Sequence, residues 1–78
     1  MLNMIKFTLM NIDRIGEALV LRRKELRVSQ SQLADICGVS VHTLSNIEAG
    51  GGNPTVGCLM KITDALGMKI DLSVRKDF

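Results

Sequence analysis

The segment from Ser29 to Gly50 places two short stretches of helical period on either side of one glycine, Gly38. Ser29 stands where a helix needs a cap, and Leu33, Ala34 and Cys37 follow on one face. Gly38 then falls at the position where a helix end favours a residue with positive φ. Ser40 caps a second helix whose apolar positions, Leu44 and Ile47, lie three apart and so share a face. A bihelical unit with its apolar faces turned together follows. The opposite face of the second helix carries His42, Ser45, Asn46 and Ala49, with Val41 and Thr43 at its edges. That face is small and polar, without the bulk of a buried surface.

The order Ser-Gln-x-x-Leu-Ala-x-x-x-Gly-Val-Ser-x-x-Thr-Leu-Ser-x-Ile-Glu-x-Gly resembles the Xre family of phage-repressor-like helix-turn-helix regulators. The match continues through Gly50, Asn53, Pro54 and Thr55 to Ala65, Leu66 and Gly67, so that residues 15 to 67 are covered. The resemblance implies an all-α, lambda-repressor-like helix-turn-helix domain of about four helices that sets one helix in the major groove of DNA.

Length and composition fit that expectation. With 78 residues the chain makes one small domain, a size at which a single core is marginal and association supplies the rest. It is 46% apolar with only Phe7 and Phe78 as aromatics, so the expected core is aliphatic and suits packed helices. Cys37 and Cys58 fall at inward helical positions with no second ligand nearby in sequence, and read as buried free thiols. No apolar run approaches the roughly 18 residues of a membrane span, and the N-terminus lacks a basic stretch followed by an unbroken apolar core. A cytoplasmic protein is expected. Met1, Met4 and Met10 all remain open as the natural start.

The net charge of +2 is unevenly spread. Residues 1 to 27 carry +3, residues 28 to 60 carry −2 without a single Lys or Arg, and residues 61 to 78 carry +1. For a unit expected to grip phosphates this is a departure, because Lys and Arg supply most non-specific DNA affinity.

Residues 1 to 10 read as an N-terminal arm with a possible short strand, residues 11 to 67 as the helix-turn-helix domain, and residues 68 to 78 as a C-terminal strand and tail. The spacing predicts a first helix from near Asn11 or Asp13 to Leu26, with Ile12, Ile15, Leu19, Arg23 and Leu26 on one stripe. Arg23 interrupts that apolar face, so its burial is costly unless a carboxylate meets it. Glu48, one turn after Leu44 on the inward side, is the expected partner, and relatives in the resembled family often carry such a pair. After the glycines at 50 to 52, which lack a following Lys and read as a loop, Thr55 caps a fourth helix running through Leu66. Val56, Leu59, Ile62 and Leu66 are its inward positions, and Gly67 ends it.

From Met68 the period changes to strict alternation, with Met68, Ile70, Leu72 and Val74 on one side and Lys69, Asp71, Ser73 and Arg75 on the other. A lone strand leaves its backbone groups unpaired, so it needs a partner. The candidates are the same strand of a second chain or the alternating run Ile5, Phe7, Leu9; otherwise the segment covers the core of its own chain. The resemblance extends here to HipB-like antitoxins, which implies dimerisation through the C-terminal strand.

Without lysines, phosphate contacts fall to the starts of the two motif helices, at Gln30 and Ser40. Arg22, Lys24 and Arg27 beside the motif add charge, unless they form only a solvated face. Base contacts fall to Asn46 for adenine, His42 for guanine or thymine acceptors, and Val41 and Thr43 for thymine methyls, with Ser45 on the same face. His42 is the only histidine and has no arrangement of neighbours for catalysis or metal binding, so neither enzyme nor cofactor is expected. The sequence thus points to a homodimeric regulator of transcription that binds double-stranded DNA, a repressor of its own operon. The alternative is an antitoxin-type interaction module that neutralises a HipA-like toxin, with Ile36 as an exposed apolar contact.

Overall fold

The computed structural model describes residues 12 to 71. Within them the chain forms α1 (Ile12–Glu25), α2 (Gln30–Cys37), α3 (Val41–Glu48) and α4 (Val56–Ala65), an all-α domain in which α1 packs on α3 and α2 on both α3 and α4.

Three of the starts are capped by the expected hydroxyls. The oxygens of Ser29, Ser40 and Thr55 each accept from the backbone amide three residues on, at 3.0 Å in every case. At Ser29 the bond is reciprocated, since its own amide donates to Gln32 Oε1 at 2.9 Å. This box takes care of two amides that α2 leaves without internal acceptors.

All four helices end in the same way. Val28 N donates to Arg23 O and Arg27 N to Lys24 O; the same pair of bonds recurs at Val39 and Gly38, at Gly51 and Gly50, and at Met68 and Gly67. This double turn needs one left-handed residue. Glycine fills the place after α2, α3 and α4, with φ of 73°, 85° and 69°, whereas after α1 the residue is Arg27 at φ 58°.

The core between the helices is aliphatic: Leu19, Leu33, Leu44, Ile62 and Leu66 are fully buried, with Ala34, Cys37, Ile47 and Leu59 around them. Cys37 and Cys58 are free thiols, the first buried and the second half-buried. Burial pushes the Cys37 thiol up, nearby Cys58 adds to this and Lys61 opposes it, so the group stays protonated. No helix among the described residues is long and apolar enough to cross a membrane.

Two expectations about inward positions fail. Leu26 is 41% exposed, because α1 stops at Glu25 and the chain turns before the stripe is complete. Val56 is 66% exposed: it sits at the first residue of α4, past the buried stripe, which Thr63 completes instead, its hydroxyl donating to Met60 O. The tail alternates as expected, Met68 and Ile70 half-buried and Lys69 and Asp71 exposed, but no strand forms through Asp71. Met68 and Ile70 pack against the core of their own chain, which is the apolar cover available to them within one chain. Leu72, Val74 and the N-terminal arm lie outside the described residues.

Candidate nucleic-acid interface

α3 is held from behind. Leu44 and Ile47 are buried against the core, and one turn beyond Leu44 the carboxylate of Glu48 is also buried. Arg23 Nε donates to Glu48 Oε2 at 2.8 Å and Arg23 Nη2 to Oε1 at 3.0 Å, a two-pronged pair between α1 and α3. Arg23 Nη1 donates to Val28 O at 2.9 Å, so all three guanidinium nitrogens are engaged. Gln30 Nε2 completes the cluster by donating to Glu48 Oε1 at 2.8 Å. One carboxylate therefore ties together three helices.

The pair between Arg23 and Glu48 was legible from the charge in an apolar stripe; the part of Gln30 was not. The sequence places Gln30 and the free amides at the start of α2 against a phosphate; in the structure its side chain ties α2 to the end of α3. That contact depends on where the first turn of α2 lies relative to the last turn of α3, which spacing along the chain does not specify.

Two further residues carry the geometry of this junction. Gly16 on α1 approaches α3 so closely that a Cβ there would stand 2.5 Å from Ile47 O and 2.6 Å from Glu48 O. A single glycine inside an otherwise continuous helical pattern was the available signal for it. Arg22, expected among the phosphate contacts, donates from Nε to Leu66 O at 2.9 Å and pairs with Glu25 Oε1 at 3.2 Å. It stands at the C-terminal end of α4, where a cation meets the negative end of a helix. The acceptor is 44 residues away, beyond the reach of local pattern.

The front of α3 contrasts with its back. Val41, His42, Thr43 and Asn46 are exposed and Ser45 is half-buried. Ser40 Oγ caps the helix and donates to Thr43 Oγ1 at 2.9 Å, so what the start of α3 offers outward is its backbone amides. The His42 ring lies one turn from Asn46, with Nε2 at 3.4 Å from Asn46 Nδ2. Arg27 and Lys24 are exposed at the end of α1, just before α2 begins. The arrangement presents donors, acceptors and methyl groups on a rigid helix, with fixed charge only at its flank.

The pattern of the Helix-turn-helix family matches residues 19–73. The chain is 41% identical over 58 residues to the cryptic phage CTXphi transcriptional repressor RstR of Vibrio cholerae, covering 74% of this chain and 52% of that one. It spans about half the length of the curated relatives it matches first. Among solved structures, the master regulator for biofilm formation SinR in complex with DNA is 36% identical with a TM-score of 0.65, over 70% of this chain and 89% of that one. A chain of the HipA-HipB-O2-O3 complex is 27% identical with a TM-score of 0.77, over 96% of this chain and all of that one, 100%. The capped two-helix unit, the carboxylate that locks it and these similarities together establish that the chain belongs to the helix-turn-helix family.

Proposed function

We propose that the protein is a sequence-specific DNA-binding repressor of transcription that acts as a homodimer in the cytoplasm. The observation that carries this reading is the division of α3 into a locked back, Leu44, Ile47 and Glu48, and an exposed front, Val41, His42, Thr43, Ser45 and Asn46. Similarity to a phage transcriptional repressor and to a regulator solved with DNA supports it. Two copies set their α3 helices about 34 Å apart in successive turns of the major groove, on a palindrome.

Affinity comes from the backbone amides at the starts of α2 and α3, at Gln30 and Ser40, and from Arg27 and Lys24. Arg22 and the Gln30 side chain are positioning groups, since Leu66 O and Glu48 occupy them. Fluorescence anisotropy on the DNA upstream of the protein's own gene, with a scrambled duplex as control, tests the reading; equal binding to both duplexes would overturn it. Asn46→Ala is expected to cost about 1–3 kcal/mol at one base position and to relax discrimination there. Uniform weakening on every sequence would assign Asn46 to the backbone instead.

Arg27 separates stability from binding. Its left-handed backbone costs a side-chain-bearing residue about 1 kcal/mol, so Arg27→Gly should stabilise the fold by roughly that amount. The same change should weaken DNA binding and lower the slope of log K against log salt by about 1. Thermal melts and a salt titration read the two effects; a variant that binds DNA as tightly as the parent would remove Arg27 from the interface.

A second reading keeps a protein partner beside DNA. Ile36 on α2 is 67% exposed, an apolar side chain that a toxin of the HipA type could cover. Specific DNA binding that is lost on Asn46→Ala while toxin capture survives would show both roles in one chain.

A further inference from the structure

His42 is the one side chain between residues 28 and 60 that can become positively charged, in a stretch whose fixed charge is −2. It is the second residue of α3 and lies exposed on the front of that helix. The charged residues on the helices packed against α3 are Asp13, Arg14, Glu17, Arg22, Arg23, Lys24 and Glu25 on α1 and Asp35 on α2. Arg23 closes on Glu48 and Arg22 on Glu25. Among the described residues the hydrogen-bond partner of the His42 ring is Asn46.

That contact has a protonation logic. With the proton on Nδ1, the neutral ring offers Nε2 as an acceptor to Asn46 Nδ2; a charged ring has donors at both nitrogens and must find an acceptor elsewhere. Guanine O6 and N7 are such acceptors on the major-groove edge. The Asn46 contact is long at 3.4 Å, so the ring gives up little in leaving it.

We propose that His42 is a proton-linked DNA contact: it takes up a proton as α3 enters the groove and donates from the charged ring to a guanine acceptor. The inference rests on the DNA-binding reading. Phosphates on both sides of the groove favour the charged ring, so its proton affinity is higher in the complex than in the free protein. A group with its pKa raised on binding contributes fully below the free value, and the contribution is lost as pH rises through the value in the complex. Affinity therefore falls as pH rises.

The test starts from duplexes that the full chain selects out of a random pool at about pH 6.5. Dissociation constants are then measured at constant salt up to about pH 8.5 for the parent, His42→Gln and His42→Arg. The parent should bind about tenfold more weakly at the upper pH than at the lower. His42→Gln should be flat to within about twofold, and His42→Arg should be flat as well, because its charge does not titrate. Placing 7-deazaguanine at each guanine in turn should abolish the parent's slope at one position.

A parent that binds with no pH dependence overturns the linkage alone. So does a His42→Gln variant that keeps the parent's slope. A slope that survives at every deazaguanine position overturns the guanine acceptor. A pool that returns no duplex overturns the DNA-binding reading and the linkage with it.

Discussion

Glu48→Ala is expected to destabilise the fold by about 3–5 kcal/mol, the range found when one partner of a buried ion pair is removed. The Glu48 side chain is 4% exposed and that of Arg23 12%, so loss of the carboxylate strands a guanidinium that water barely reaches. The Gln30 amide loses its acceptor at the same time. Small domains have about 5–15 kcal/mol in all, and each kcal/mol lowers their melting temperature by about 4–8 °C. The variant should therefore melt at least about 12 °C below the parent. Circular dichroism during thermal and urea unfolding measures this, and a loss under about 0.5 kcal/mol would mean that the pair is dispensable. Replacing both charges, Arg23→Met with Glu48→Leu, should do less harm than Glu48→Ala alone, because no unpaired charge is left inside.

Gly16→Ala is the second large effect, and its sign runs against helix propensity. Inside an exposed helix the exchange would gain about 1 kcal/mol. Here the new methyl meets the carbonyl oxygens of Ile47 and Glu48, backbone atoms that cannot turn aside as a flexible side chain would. α1 must move off α3, which loosens the Arg23 to Glu48 bonds that span the same junction. A net loss of about 2–3 kcal/mol is expected, the upper range for overpacking of a close contact. Urea unfolding of the single variant decides it; an increase in stability would show that the junction relaxes freely.

What the sequence disclosed was what local chemistry encodes. Ser29, Ser40 and Thr55 announce helix starts because a hydroxyl at that place satisfies an amide that nothing else reaches, and Gly38 and Gly67 mark ends because the left-handed turn excludes most side chains. The sequence pairs Arg23 with Glu48, since each is a charge on a face that must be buried. Other features depend on the third dimension. Arg22 meets Leu66 O and Gln30 meets Glu48 only because particular helix ends are brought together. Met68 and Ile70 alternate as a strand would, yet alternation alone does not distinguish pairing with a second chain from covering a core. Gly16 left little trace, because its role is to have no side chain.

The locked back of α3 has a consequence for how such a protein changes over generations. The side chains that fix α3 to its neighbouring helices are those of Leu44, Ile47 and Glu48, and none of these anchors belongs to the set exposed in front. Val41, His42 and Asn46 are thus free to be exchanged without renegotiating the fold. On the DNA-binding reading proposed above, exchange of this small set would redirect the helix to another operator while the scaffold behind it stays the same.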